Sequence, residues 1–271
     1  MRRAVAAGLG ALALLVAGQA LGASNGWRPL DPENTLVVET TKGRIVVQMR
    51  PDFAPLAVAR VKLLAREHVY DGLLFHRVIA HFVDQTGNPN NRDGGTSSHP
   101  NLPPEFTFRL KPSAAILARR ASDGVEGFSG ATPFAGEALA AVRADGTIRA
   151  WGAYCPGVVG MGRESDSGSA NSEIFFMRDA ARRLDHDYTV WGRVVAGLNV
   201  VRAVAGGEPP AAPDRMLEVA VMADLPPAER PRLEVMDTAG PRFQAILARA
   251  RAAKGADFSV CEVEIPIRRM K

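Results

Sequence analysis

Long apolar runs are missing from this 271-residue chain except at one place. The exception is the uncharged stretch of residues 4–17 behind Met1-Arg2-Arg3, and it is shorter than the roughly 18–20 residues that a membrane span needs. No later segment comes close, which excludes a multi-span membrane protein. A basic start, a short apolar run and small residues as far as Ala23 have the layout of a secretory signal peptide, with Ala20, Gly22 and Ala23 all suitable for cleavage. Residues 1–23 are therefore expected to be a removed leader and the mature chain to be exported, to the periplasm. No cysteine follows the apolar run, so nothing points to a lipid anchor.

Cysteine is equally scarce. Only Cys155 and Cys261 are present, and the five histidines (His68, His76, His81, His99 and His186) show no zinc-type spacing, so no metal site is expected. Export places the two cysteines where pairing is permitted; a Cys155–Cys261 disulfide and two free thiols both fit the sequence. Charge of one sign is lacking too. The formal net charge is +4, and basic residues alternate with acidic ones, as in Arg60, Lys62, Arg66 and Glu67, leaving no basic face for nucleic acid.

What is there is mostly strand. Residues 36–40 and 45–49 flank the turn Thr41-Lys42-Gly43-Arg44 and read as a hairpin. Pro55 suits the first turn of a helix running to about Glu67, with an apolar stripe carried by Leu56, Ala59, Leu63 and their aliphatic neighbours Val58 and Val61. Residues 73–83 read as one strand interrupted at Arg77, and residues 88–104 as a Gly-, Pro- and Asn-rich loop. Shorter strand-like pieces follow at residues 158–161, 174–177 and 189–195, then a short helix at 197–204 and a late strand at 216–222. This balance favours a mainly β, closed antiparallel barrel over an α/β sheet.

Two regions fall outside that pattern. Residues 109–151 are too long for an inter-strand connection and are read as an insertion, with an Ala-rich, helix-prone piece at 136–143. Residues 225–271 are read as a C-terminal extension, comprising a helix ending near Gly255 and an alternating strand over 258–267. The main domain is then 35–224.

Phe75-His76-Arg77-Val78-Ile79, followed by Phe82 and Gln85-Thr86-Gly87-Asn88, resembles the cyclophilin signature in residue type and spacing. The resemblance continues through Gly94-Gly95, Pro104-Glu105-Phe106, residues 157–163, Ser169-Ala170-Asn171-Ser172-Glu173-Ile174-Phe175-Phe176, Leu184-Asp185 and Trp191-Gly192-Arg193-Val194. It implies a closed eight-stranded antiparallel cyclophilin-like barrel capped by two helices, peptidyl-prolyl cis/trans isomerase activity, no cofactor, and proline-containing polypeptides as partners.

The chemistry agrees with those residue types. A peptide C–N bond resists rotation by roughly 18–20 kcal/mol because the nitrogen lone pair is delocalised. A catalyst must favour the half-rotated amide, and it can do so by donating a hydrogen bond to the proline nitrogen as its lone pair localises. An arginine beside an apolar slot meets that demand, since its guanidinium keeps its charge and can be braced while still donating. By resemblance Arg77 is catalytic and Gln85 braces it. Phe82, Phe175 and Leu184 wall the proline ring, and Val83 stands where methionine is common. Gly162 and Arg163 lie where backbone pairs with the peptide, Gly94 flanks the residues before proline, and Tyr188 falls at a substrate-binding position held by histidine in some members and tyrosine in others. His76 is read as a supporting, hydrogen-bonded residue, because the reaction moves no proton.

Four residues depart from the family pattern. Glu173 replaces a groove-lining glutamine and could pair with Arg77, Asn88 replaces an aspartate, Arg183 replaces an aromatic at the pocket rim, and Ile174 replaces an aromatic core residue. A module that binds proline segments with little turnover is the alternative these departures raise.

Overall fold

In a computed structural model the described residues are 26–270, so the expected leader at 1–23 lies outside them. Eight strands form one antiparallel sheet: β1 (Thr35–Thr40), β2 (Gly43–Met49), β3 (Arg77–Ile79), β4 (Val83–Thr86), β5 (Val158–Met161), β6 (Ile174–Met177), β7 (Val190–Ala196) and β8 (Met216–Val221), in the order β8-β1-β2-β7-β5-β6-β4-β3. The edges meet through isolated bridges, Leu74 to Arg215 and Val78 to Gly207, and the sheet curls into the expected barrel. Its two helices are α1 (Pro55–Arg66) and α2 (Leu198–Ala203).

Side chains alternate across each strand, and here both faces are covered. Ile45, Val47, Val159, Ile174, Phe176 and Trp191 point into one core with α1 and Val201 of α2. Their neighbours Val46, Val158, Phe175, Met177 and Val190 point into a second core. Strands buried on both faces read as unbroken apolar runs, which is why residues 174–177 show no alternation.

The second core is built with the insertion and the extension. The insertion is an antiparallel sheet of Phe108–Leu110, Ile148–Gly152, Thr132–Gly136, Val125–Ser129 and Ile116–Arg120, in that spatial order. The helix expected at 136–143 does not form; Gly136 ends a strand opposite Ala150, and only a single tight turn follows at Leu139–Ala141. Ladder pairing outweighs the modest helix preference of alanine. In the extension, α3 (Pro241–Lys254) buries Phe243 and Leu247, and the Phe243 ring meets Phe128 of the insertion edge-on at 5.2 Å. The strand expected over 258–267 is reduced to Ile267–Arg269; Phe258, Val260, Val263 and Ile265 are buried, Val260 from the tight turn Val260–Glu262 and the others from irregular chain, so the alternation breaks between 260 and 263. Leu233–Met236 pairs with Ile267–Arg269 on one side and with Trp27–Pro29 on the other, tying both ends of the described chain together.

Two further expectations are corrected. Residues 73–83 hold a bend rather than one interrupted strand: His81, at φ 59°, turns the chain between β3 and β4. On α1 the Leu56, Ala59 and Leu63 side of the expected stripe faces solvent, while its Val58 and Val61 are buried together with Ala57, Leu64 and Ala65. That face carries more apolar surface, so burying it is the better choice. The Glu105 carboxylate accepts from the free amides of Leu56 (3.0 Å) and Ala57 (2.8 Å), capping the helix start with opposite charge.

Cys155, buried beside the barrel, is bonded to Cys261 of the extension, with Cα atoms 4.9 Å apart across a sequence separation of 106. Closing so long a loop restricts the unfolded chain, and loss of such a bond costs about 2–5 kcal/mol. Replacing both cysteines with alanine is expected to lower the unfolding free energy by that amount, read from the denaturation midpoint. An unchanged midpoint would show that the bond does not hold the extension in place.

Candidate functional site

Strand register assembles the site. Arg77 lies opposite Gln85 in the β3–β4 pair, Gln85 opposite Phe175 in β4–β6, and Phe175 opposite Gly160 in β6–β5. On the other side of β3, Val78 bridges Gly207, which sets Glu208 beside Arg77. One row therefore runs Glu208, Arg77, Gln85, Phe175, Gly160 on a single face. Gly160 is needed in it, because a Cβ there would lie 2.4 Å from the Phe175 ring. Two residues along, Gly162 leaves the room that Glu173 fills; a Cβ would come 2.0 Å from Glu173 Oε1.

Arg77, Gln85 and Phe175 of the row line a cavity of about 430 Å³. Arg77 and all ten expected substrate-contacting residues (Phe82, Val83, Gln85, Gly94, Gly162, Arg163, Glu173, Phe175, Leu184 and Tyr188) line it. One end is apolar: Phe82, Val83, Phe175, Leu184 and Tyr188, with the Tyr188 ring edge-on to Phe175 at 5.9 Å and Tyr154 stacked behind Phe175 at 5.7 Å. Arg183 does not strip the rim, since its guanidinium sits 4.3 Å above the Phe82 ring. Arg163 covers Tyr188 at 4.4 Å and donates to the Asp187 carboxylate at 2.8 Å, so its charge is committed to the wall.

Arg77 donates from Nη1 to Gln85 Oε1 and from Nε to Glu208 Oε2, the latter at 2.7 Å. Nη2 has no partner among the described residues. Glu173 does not pair with Arg77. Gln85 stands between them, donating to Glu173 Oε1 at 2.8 Å, and Asn88 donates to Glu173 Oε2 and to the Arg92 carbonyl. His76 is buried and hydrogen-bonds Asp93 at 3.0 Å, fastening the loop that carries Gly94.

His76, Asp93 and Glu173 also bring three ligand-type atoms within 4.8 Å of one another. A metal bound at Nε2 would shift the ring proton to Nδ1, which is buried with no acceptor among the described residues. Ligating histidines need that second hydrogen bond. The arrangement fits a ring that donates from Nε2 to Asp93, not a metal ligand. Sequence reasoning missed Asp93 and Glu208. Asp93 sits in a featureless loop, and Glu208 lies in the turn-rich Gly206-Gly207-Glu208-Pro209-Pro210, where only the barrel closure reveals its neighbour.

The description cyclophilin type peptidyl-prolyl cis-trans isomerase/CLD matches residues 35–221. A probable peptidyl-prolyl cis-trans isomerase of Brucella suis biovar 1 (strain 1330) is 31% identical over 210 residues, covering 72% of this chain and 85% of that protein. A peptidyl-prolyl cis-trans isomerase of Dictyostelium discoideum is 33% identical over 172 residues, 63% of this chain and 83% of that one. The crystal structure of cyclophilin AquaCyp293 from Hirschia baltica is similar with a TM-score of 0.81 and 33% identity, covering 90% of this chain and 94% of that chain.

Beneath the row, on the inner face of β4, Asp84 is fully buried; Arg178 donates to it at 3.1 Å while its other oxygen has no partner among the described residues. Burial raises its pKa from the ordinary 3.8 to about 7, against the pull of Arg178. A carboxyl whose pKa is higher folded than unfolded takes up a proton on folding, so its contribution is present below pH 3.8 and is lost as pH rises through about 7. Asp84→Asn, which cannot ionise, is expected to gain stability relative to the parent between pH 5 and pH 8 in urea titrations. A stability difference that stays constant over that range would overturn this assignment.

Proposed function

Because the chain belongs to the cyclophilin-type peptidyl-prolyl cis-trans isomerases, we propose that Arg77 is the group through which it speeds rotation about X-Pro bonds, and that its clients are proteins folding after export. The observation that carries the catalytic assignment is the state of the guanidinium. Two of its nitrogens are held by Gln85 and Glu208, the third has no partner among the described residues, and Arg77 lines one cavity with the apolar Phe82, Phe175 and Leu184.

A proline ring fits the apolar end formed by Phe82, Phe175 and Leu184, where burying it removes apolar surface from water. The amide before it then lies over Arg77 and Gln85. As the bond twists, the proline nitrogen regains its lone pair and becomes an acceptor it was not in either planar form. A donor fixed in advance binds this state better than the ground states, which lowers the barrier without any covalent step. Glu173 leaves that donor free, because its two oxygens are taken up by Gln85 and Asn88.

Rotation of an Ala-Pro peptide by Arg77→Ala is expected to fall by about 10²–10³-fold, the loss typical of removing one preorganised donor. Arg77→Lys keeps the charge but cannot be braced at two points, and its rate should fall as well. Equal rates for parent and Arg77→Ala would end the assignment; if both stood at background, the groove would be a holder of proline segments.

Export is supported by the layout of residues 1–23 and by the Cys155–Cys261 bond, since structural disulfides persist in oxidising compartments. Uncatalysed X-Pro isomerisation takes about 10–100 s, long enough to limit the folding of newly exported chains. Fractionation of cells expressing the full chain should recover a shortened, oxidised protein from the periplasm; a full-length, reduced protein in the cytosol would refute export.

A further inference from the structure

We propose that Glu208 is a positioning residue for the isomerase reaction, fixing which nitrogen of Arg77 faces the substrate; this rests on the assignment of Arg77 made above. A guanidinium carries five N–H donors in a planar fork, and its long stem leaves it free to rotate. A single brace from Gln85 at Nη1 permits a swing about that contact. The second contact, Nε to Glu208 at 2.7 Å, removes it. With Nε and Nη1 both tethered, the plane of the group is set, and Nη2 is the nitrogen left without a partner among the described residues.

Glu208 is itself held by backbone rather than by its side chain. Val78 and Gly207 exchange two hydrogen bonds, at 2.8 and 2.9 Å, so the residue after Gly207 sits beside the residue before Val78. Gly207 has φ 150° and would place a Cβ 2.5 Å from Pro210 Cα, which makes glycine necessary there. The Glu208 side chain is about half exposed, at 52%, and has no other hydrogen bond or ion pair among the described residues. Removing the carboxylate therefore disturbs no buried contact, and a loss of rate cannot be charged to unfolding. Neither Glu173 nor Asp93 substitutes for it, since neither reaches Arg77.

The test uses the whole chain with a proline tetrapeptide, separating kcat from KM by NMR line-shape analysis. Glu208→Ala is expected to lower kcat about 10- to 100-fold, the range for a misplaced catalytic group, with KM little changed. Glu208→Gln keeps an acceptor for Nε and should recover kcat to within about threefold of the parent, since one neutral hydrogen bond replaces a charged one. In an Arg77→Ala background Glu208→Ala should have no further effect, as residues acting through one group are non-additive. An unchanged kcat in Glu208→Ala, a loss that Gln does not rescue, a change confined to KM, or additive losses would each overturn the proposal. If Arg77→Ala turns over like the parent, the assignment of Arg77 fails first; if it is impaired while Glu208→Ala is not, only the positioning role fails.

Discussion

One cross-strand row governs this protein. Because β3 pairs with β4 on one side and closes against the segment before β8 on the other, Gln85 and Glu208 flank Arg77 without any loop having to deliver them. Sites carried on strands are stiffer than sites on loops. The barrel closure is thus a functional device as well as a structural one: an open sheet would keep Gln85 in register and lose Glu208. The glycines at 160, 162 and 207 follow from the same row, since a side chain at any of them would push a wall, a carboxylate or the closing turn out of place.

The apolar wall depends on the rest of the chain in a less direct way. Phe175 faces outward from the barrel, where in a bare barrel it would meet water. Tyr154 is stacked behind it, at the end of the insertion, and Cys155, next in the chain, is bonded to the extension. Insertion and extension thereby bury the outer face of β5, β6 and β7 in a second core. They finish the slot from behind without entering it. Apolar burial is non-directional, so this backing tolerates varied shapes, whereas the polar row tolerates few.

The motif residues were legible in the sequence because they carry chemistry in fixed spacing: Arg77, Gln85, Phe82, Phe175 and Leu184 all line one cavity. Strand positions in the barrel were legible as apolar runs between turns. What was not legible had specific causes. The buried face of α1 was only partly legible: Val58 and Val61 lie on it, but Leu56 and Leu63 compete with them and Leu64 over adjacent stripes, and only the barrel decides between them. The bend at His81 is a non-glycine residue at positive φ, which turn rules based on glycine do not flag. Glu208 was invisible because its importance is non-local, fixed by a bridge between residues 129 positions apart in sequence, Val78 and Gly207.

The departures from the family pattern also look different once the contacts are known. Asparagine at 88 and glutamate at 173 are two separate departures in the sequence, and the glutamate was expected to threaten the arginine. In the structure they meet: the Asn88 amide donates to the Glu173 carboxylate. The remaining Glu173 oxygen then accepts from Gln85, whose own oxygen is thereby turned toward Arg77. A substitution that appeared to endanger the guanidinium instead orients the residue that braces it.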